Sequence, residues 1–366
     1  MITYHRLLLL ILCSLIFAIG LVMIFSTSSA EVLDHDLGVS THQALLRQLL
    51  YGVVGIGAAF FIWNVGYLRF LQLSPLLLRI CIVLLILTLI PGIGREVNGS
   101  RRWLVFAGFS FQPSEFVKYC VPAFFIDRIL RLKGRQPTLR EFFTLVGVTA
   151  IPILLILIEP NNGTAAVIGV TLVALCLLTR IPFKFWALPL SLFMVGSLLF
   201  ASQLPYVSAR LKVYLNPELD LKGKGHQPYQ AKIAAGSGLL LGKGPGNSLQ
   251  KLSYLPEAQN DYIAAIYAEE FGFIGILVLI LLYMGVAYTG FSIAYYAQER
   301  AGLYYASTVT FLICFQAFLN LGVVSGLLPS TGLNLPLFSQ GGTSLIANIM
   351  GLGILFNISE KAVSKT

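Results

Sequence analysis

Residues 7–26 read LLLLILCSLIFAIGLVMIFS, a run that contains no charged side chain. A bilayer has a hydrocarbon core about 30 Å thick, which a helix crosses with roughly 20 apolar residues. The run is long enough for one such crossing, and nine further apolar stretches follow it. The predicted spans cover residues 7–26, 44–63, 76–93, 111–129, 142–158, 162–179, 183–203, 262–290, 303–325 and 342–358.

The overall composition places the whole chain in a membrane. Of its 366 residues, 57% are hydrophobic and only 11% are charged, whereas about a quarter of a soluble domain is charged. The polar side chains are too few to cover a water-soluble fold of this size. We therefore predict an all-α integral membrane protein with about ten transmembrane helices, forming a single polytopic domain over residues 1–366.

Charge, cysteine and histidine content exclude several classes of function. The formal net charge is +9, but the basic residues stand between apolar runs and not among aromatic residues on one polar face, so no nucleic-acid partner is expected. The five cysteines lie in apolar stretches without CxxC spacing. The four histidines are isolated, and there is no HExxH pattern. Neither a disulfide framework nor a zinc site is predicted.

The distribution of basic residues orients the predicted spans, because short cytoplasmic loops are enriched in lysine and arginine. The loop at 128–140 carries five basic residues, whereas the loop at 28–43 carries three acidic residues and no lysine or arginine. We therefore expect both termini in the cytoplasm. The same orientation makes residues 204–261 a large extracytoplasmic loop between the seventh and eighth helices.

Two segments on the predicted outer face are basic despite this rule, residues 94–118 and 204–261. Long loops cross a membrane whatever their charge, so the shorter segment is the more informative one. Its cations are Arg95, Arg101, Arg102 and Lys118. They indicate an anionic ligand, for which phosphate-bearing lipids of the outer leaflet are a source. The alternative is that they bind bulk lipid headgroups.

Glu115 and Lys118 follow Pro113, which stands at a predicted first helical turn. Their spacing of three residues puts both on one face of the helix. Ionisable groups in a membrane are costly and therefore mark candidate sites. The pair either lines a polar cavity or forms an ion pair that hides both charges.

Two further segments have explanations that need no ligand. The segment 236–246, GSGLLLGKGPG, departs from a phosphate-binding loop because Gly238 is one residue too close to Gly242 and Gly244 replaces the required Ser or Thr. Nucleotide binding is therefore not expected. The segment 159–163, EPNNG, has the composition of a tight turn between two spans.

Asp261 stands just before the apolar run that begins at Ile263, hence at a helix N-terminus and at the outer interface. A helix dipole stabilises a carboxylate at that end. The aspartate is either a functional group or an ordinary N-cap. Glu269 and Glu270 follow two turns later, at a depth where a carboxylate requires a partner or water.

An uncharged, hydroxyl-rich loop over residues 328–344 leads into the last predicted span. Its Ser339, Thr343 and Ser344 are candidate hydrogen-bond donors to a sugar or a phosphate. The alternative is a connecting loop without a ligand.

Four motifs, in this order across ten spans, resemble those of the SEDS family of cell-wall polymerases, which contains the FtsW and RodA proteins. They are NGSRRW with FQPSEFVK, EPNNGTA, the block from GSGLLLGKG to LPEAQNDYIAAIYAEEFGFIG, and GLLPSTGLNLPLFSQGGTSL. The likeness covers nearly the whole chain. It implies a peptidoglycan glycosyltransferase of the bacterial cytoplasmic (inner) membrane, which polymerises lipid II on the outer face and releases undecaprenyl diphosphate.

The resemblance also implies roles for individual residues. The essential acidic residue of the family falls on Asp261, the predicted catalytic residue. Gln259-Asn260 replaces the usual His-Thr, Gln340 the usual Tyr, and Asn161 the usual acid, and these departures affect the detailed ligand contacts. The predicted substrate-binding residues are Arg101, Arg102, Glu115, Lys118, Lys243, Glu257, Ser339, Thr343 and Ser344.

The chemistry of the site has several open alternatives. Asp261 acts as a general base, orients the acceptor, or holds a divalent cation, Mg²⁺ or Mn²⁺, that spans the diphosphate oxygens. Otherwise no cofactor is expected. The candidates for stabilising the leaving diphosphate are Arg101, Arg102, Lys118 and Lys243.

The biological role has alternatives as well. The chain could be a lipid II flippase, or a scaffold for other proteins. Within the SEDS family, the run GKGPGNSLQKLSYLPEA favours the division-type FtsW over the elongation-type RodA pattern. The resemblance implies a class B penicillin-binding transpeptidase as partner, together with other divisome or elongasome membrane proteins.

Overall fold

The computed structural model describes residues 2–35, 41–97, 100–106, 109–188, 191, 214, 225–252, 255 and 258–363. This part of the chain is mainly helical. Its helices are α1 Ile2–His35, α2 Gln43–Val65, α3 Tyr67–Leu89, α4 Pro113–Leu130, α5 Leu139–Ile158, α6 Asn162–Leu178, α7 His226–Ser237, α8 Ile263–Tyr295, α9 Arg300–Val324 and α10 Gly342–Val363. Three short strands lie between α3 and α4, namely β1 Gly94–Val97, β2 Ser100–Phe106 and β3 Phe109–Phe111.

The helices confirm the prediction of a multi-pass membrane protein. Among the described residues, seven helices are long and apolar enough to cross a membrane, namely α1, α2, α3, α5, α8, α9 and α10. α6 is apolar but has 17 residues, and α4 has 18 residues with several ionisable side chains. Nine of the ten predicted spans thus coincide with a helix. The tenth, 183–203, is helical over 183–188 and lies mostly outside the described residues.

Apolar side chains cover the outside of the helix bundle as well as its interior. On α2, Val53 and Phe61 are 66% and 68% exposed, whereas Ile62 is buried. A soluble protein seldom exposes so much large apolar surface. The hydrocarbon of a bilayer is the solvent that suits this surface.

α4 lies at the centre of the bundle. Every residue from Pro113 to Asp127 except Phe116 is buried. The helix begins with Gln112 as N-cap and Pro113 in the first turn, because proline has no N–H to lose at that position. It contacts α3, α6, α9 and β2, so its ionisable side chains lie inside the protein.

A small antiparallel sheet, in the order β1-β2-β3, was not predicted. Its pairing sets Arg101 opposite Glu96 and Leu104 opposite Phe111. The strands have four, seven and three residues, which is too short for an alternating pattern to stand out beside the long apolar runs. The sheet is a local addition to an all-α membrane fold, and it holds the conspicuous arginines of this segment.

α8 is interrupted at one residue, and a neighbouring loop forms hydrogen bonds with the helix there. Gly272 has φ 65° and ψ −163°, a conformation open to glycine alone. The break frees backbone groups of the helix for other partners. Leu239 O accepts from Phe273 N at 2.9 Å, and Lys243 N donates to Glu269 O at 2.9 Å. The loop of residues 238–252, called the glycine loop below, is thereby attached to the helix.

Candidate functional site

Asp261 lies immediately before α8, as the sequence predicts. The residue at the N-cap position of the helix is Tyr262. Its carbonyl oxygen accepts a 2.8 Å hydrogen bond from Asn320 Nδ2. Its Oδ2 lies 3.7 Å from the place that a Cβ would take on Gly332. The carboxylate is therefore close to the backbone of the 328–344 loop.

Two side-chain amides of α9 hold that loop in place. Asn320 Nδ2 donates to Leu333 O at 2.7 Å, and Gln316 Nε2 donates to Asn334 O at 2.8 Å. Both amide residues are buried, and their spacing of four residues puts them on one face of the helix. Sequence reasoning missed them. The available signal was a pair of amides, one turn apart, inside an apolar span.

Glu115 and Lys118 form a buried ion pair on α4. Lys118 Nζ lies 2.7 Å from Glu115 Oε2, and the two residues are 1% and 5% exposed. Lys118 Nζ also donates to Gln316 Oε1 at 2.6 Å. Glu115 and Lys118 thus form the ion pair that was one of the two predicted alternatives. The pair also contacts a residue of another helix. Gln316 links it to the loop whose backbone faces Asp261.

The predicted hydroxyl groups of the 328–344 loop have partners within the chain. Ser339 Oγ accepts from the backbone four residues earlier at 2.8 Å. Ser344 Oγ accepts from Asn348 Nδ2 at 3.3 Å. Thr343 Oγ1 accepts from Gln112 N at 3.1 Å and donates to the backbone of β3 at 3.1 Å. These hydroxyls position the loop against α4 and the sheet, and their contact with substrate stays a prediction.

Two buried amide oxygens next to the loop, Asn320 Oδ1 and Gln340 Oε1, have no hydrogen-bond partner among the described residues. Gln340 N donates to Gln259 O at 3.0 Å, which brings Gln340 close to the Asp261 segment. A buried acceptor without a donor is unfavourable by about 1–3 kcal/mol, and a ligand hydroxyl would relieve that penalty. Glu257, also a predicted site residue, lies outside the described residues.

Arg101 and Arg102 point to opposite faces of β2, as neighbouring residues of a strand do. Arg101 pairs with Glu96 at 3.0 Å, and both side chains are more than a third exposed. Arg102 instead donates to Glu159 O at 3.0 Å and to Pro160 O at 2.6 Å. An exposed ion pair contributes little stability, so Arg101 is available to an anion. Arg102 holds the hairpin between α5 and α6.

That hairpin contains a buried carboxyl group that sequence reasoning explained as part of a turn. Glu159 accepts a hydrogen bond from Thr88 Oγ1, and its Oε2 is buried without a partner among the described residues. Burial raises the pKa of Glu159 to about 7, although the Thr88 bond and the charge of Arg102 lower it. The group therefore titrates near neutral pH. The missed signal was an acidic residue at the end of an apolar span.

The glycine loop neutralises the two deep glutamates of α8. Lys243 Nζ lies 2.6 Å from Glu269 Oε1, and Glu269 also accepts from Ser248 Oγ. Lys251 Nζ lies 2.9 Å from Glu270 Oε1. The prediction that these carboxylates require partners is confirmed. Lys243, a predicted cation of the site, already has a carboxylate partner.

A metal ion would have few protein ligands here. Among the described residues, no three histidine, cysteine, aspartate or glutamate side chains converge as a metal site. Mg²⁺ is commonly held by one or two carboxylates together with substrate phosphates and water. Asp261 together with a bound diphosphate fits that pattern.

Comparisons with known proteins cover nearly the whole chain. The model of a family described as cell cycle protein, which comprises FtsW, RodA and SpoVE, matches residues 6–364. Stage V sporulation protein E of Bacillus subtilis (strain 168) is 40% identical over 363 residues, 98% of this chain and 98% of that protein. The probable peptidoglycan glycosyltransferase FtsW of Nitrosococcus halophilus is 39% identical over 346 residues, 93% of this chain and 88% of that protein.

Solved structures agree with these relatives. A chain from a peptidoglycan synthase complex, studied for its coordination of polymerization and crosslinking, is similar with a TM-score of 0.76, 26% identity and 96% coverage of both chains. The rod shape determining protein RodA of Thermus thermophilus is similar with a TM-score of 0.69 and 25% identity, over 96% of this chain and 95% of that one.

Proposed function

Because the chain belongs to the FtsW, RodA and SpoVE family, we propose that it is a peptidoglycan glycosyltransferase, which polymerises lipid II and releases undecaprenyl diphosphate. One observation carries the site assignment. Asp261 lies next to the backbone of the 328–344 loop. Amide side chains of α9 bind that loop, and one of them, Gln316, also binds Lys118 of the Lys118–Glu115 pair. A carboxylate next to a rigid backbone is suited to orient an acceptor hydroxyl.

The reaction requires removal of one proton and stabilisation of one leaving group. The acceptor 4-hydroxyl attacks the anomeric carbon of the donor, the new C–O bond forms, and the bond to the diphosphate breaks. Asp261 takes the hydroxyl proton, and the diphosphate leaves with the bonding electron pair. A base near the attacking hydroxyl accelerates such a step, provided that its pKa suits the working pH. A divalent cation between Asp261 and the diphosphate would supply further charge stabilisation.

The negative charge on the diphosphate grows in the transition state, so fixed cations act most strongly there. Of the four candidates, Arg101 is the one whose partner is exposed and easily exchanged. Lys118 and Lys243 are paired with carboxylates that are almost fully buried. We therefore assign the direct phosphate contact to Arg101. The other three cations position the surrounding segments.

The same arrangement supports a proposed orientation of the spans. Asp261, the sheet and the α5–α6 hairpin all lie at one end of the bundle, and the basic 131–138 connection lies at the other end of α4 and α5. The positive-inside rule assigns that connection to the cytoplasm. The site then lies on the outer face of the bacterial cytoplasmic membrane, and both termini are cytoplasmic. A class B penicillin-binding transpeptidase is the proposed partner, in cell division.

The experiment is polymerisation of lipid II by the purified chain together with its transpeptidase partner, comparing wild type with Asp261→Asn. The control is Asp127→Asn, the same change in a carboxylate that pairs with Arg131 at the other end of α4. We expect glycan strands from wild type and from the control, and none from Asp261→Asn with unchanged thermal stability. A wild type that moves lipid II between vesicle leaflets without forming glycan would favour a flippase instead.

A further inference from the structure

A cavity of about 500 Å³ lies at the end of the bundle opposite Asp261, between the last turns of α4 and the first turns of α5. Three arginines line its rim, Arg128, Arg131 and Arg140. Its apolar wall includes Phe124, Leu145 and Val148, and Glu141 and Thr144 also line the cavity. A cationic rim above an apolar wall is complementary to an amphiphile with an anionic head.

The acidic residues near the cavity already have other partners. Asp127 accepts from Arg131 Nε at 2.8 Å. Glu141, which itself lines the cavity, accepts from Arg135 Nη2 at 2.5 Å. Among the described residues, Arg128 and Arg140 have no carboxylate partner in hydrogen-bond range, so the rim has an excess of two positive charges.

Helix electrostatics explain only one of these two cations. Arg128 lies in the last turn of α4, where the helix dipole favours a positive charge. Arg140 lies in the first turn of α5, where the dipole disfavours one. The positive-inside rule accounts for basic residues in this connection, but not for their convergence on one cavity. An anion between the two guanidinium groups would compensate both.

The depth of the apolar wall distinguishes a lipid from a free anion. The cavity follows α5 from Arg140 to Val148 for eight residues, or about 12 Å at 1.5 Å per residue, and beyond Thr144 its α5 lining is apolar. At the rim, Arg128 lies 5.0 Å from the centre of the Phe124 ring, so its guanidinium is held above the apolar wall. A free phosphate would leave this wall uncovered, whereas an acyl chain would cover it.

We propose that this cavity binds an anionic phospholipid, whose headgroup phosphate lies between Arg128 and Arg140 and whose acyl chain lies along Phe124, Leu145 and Val148. Arginine is suited to this role because its planar guanidinium binds phosphate through two parallel hydrogen bonds. Basic pockets between transmembrane helices on the cytoplasmic side commonly bind such headgroups.

The test measures retention of phosphatidylglycerol on the purified chain by native mass spectrometry, with phosphatidylcholine as the neutral lipid. The variant Arg128→Gln/Arg140→Gln removes the two unpaired cations. The matched control is Lys133→Asn, which removes a charge from the same connection and does not line the cavity. Asparagine tolerates the positive φ of 52° at that position.

We expect phosphatidylglycerol to bind the double variant about thirtyfold more weakly, from about 1 kcal/mol for each basic residue. Lys133→Asn should bind it as wild type does. A second variant, Val148→Trp, places a larger side chain in the apolar part of the cavity and leaves both arginines in place. It should also bind phosphatidylglycerol more weakly. Equal retention by the double variant and wild type would overturn the proposal. Inorganic phosphate that displaced the lipid from wild type at millimolar concentration would show a site for a free anion instead.

Discussion

Arg102 Nε donates a hydrogen bond to the carbonyl oxygen of Glu159 at 3.0 Å, and Arg102 Nη2 donates one to the carbonyl oxygen of Pro160 at 2.6 Å. Two hydrogen bonds in a fixed geometry require the planar fork of arginine. Arg102→Lys should therefore lower the stability of the protein by about 1.5–3 kcal/mol, the range for a hydrogen bond to a charged group. Polymerisation should fall with it, because the hairpin adjoins α4.

The control for the stability measurement is Arg101→Lys on the same strand, where the residue pairs with the exposed Glu96. It should alter stability by less than about 0.5 kcal/mol. Thermal unfolding in detergent compares the stability of both variants, and polymerisation compares Arg102→Lys with wild type. Equal stability loss from both variants would contradict the structural role of Arg102.

Glu159 should make stability depend on pH. Its pKa of about 7 in the folded protein exceeds the ordinary value of 4.5, so the folded state binds the proton more tightly than the unfolded state. This contribution is complete below pH 4.5 and is lost as the pH rises to about 7. It amounts to about 3 kcal/mol. Thermal midpoints of wild type should therefore fall over that range relative to Glu159→Gln, and parallel curves for the two proteins would refute the prediction.

Variants of the Glu115–Lys118 pair should affect stability and activity differently. Lys118→Met leaves a buried carboxylate without its cation, which is unfavourable by about 3–5 kcal/mol. Removing both charges in Glu115→Gln/Lys118→Met should restore most of that stability. If the pair supports the catalytic loop through Gln316, polymerisation should stay low in both variants. A double variant with full activity would reduce the pair to a packing feature.

The two lysines of the glycine loop should differ in their contribution to stability. The side chain of Lys251 is 7% exposed in its pair with Glu270, and that of Lys243 is 32% exposed in its pair with Glu269. Water screens the second pair more effectively. Lys251→Gln should therefore destabilise the protein by about 3–5 kcal/mol, and Lys243→Gln by clearly less. Chemical unfolding measures both variants, and the reverse order would be inconsistent with these contacts.

Much of the fold could be predicted because hydrophobicity is a local property. The apolar runs marked nine helices that the structure describes, and the spacing of Glu115 and Lys118 placed them on one face. Hydropathy and helical periodicity depend on residues within a few helical turns of one another, so both can be read directly from the sequence. For the same reason Asp261 could be placed at the start of α8 without knowledge of its neighbours.

The contacts that build the site could not be predicted, because they join distant segments. Gln316 meets Lys118 across 198 residues, and Lys251 reaches Ser26 across 225 residues. No local pattern encodes such pairs. The environment of Glu159 was missed because a turn accounted for its sequence, and only the packed structure shows that its carboxyl group lies out of reach of water.

The break at Gly272 has a consequence for hydrogen exchange. The amide hydrogens of Lys243 and Gly244 are bonded to carbonyl oxygens of α8, as Phe273 N is bonded to Leu239 O. Helix and loop should therefore open in one cooperative event. Deuterium uptake at Lys243 and Gly244 should be as slow as in the adjoining helix, although Leu239 and Leu241 of the loop are exposed. A side chain at Gly272, whose Cβ would lie 2.4 Å from Gly242 N, should release the loop and speed exchange at Phe273 and Ile274 of α8 as well, because their amides lose Leu239 O and Leu240 O as acceptors.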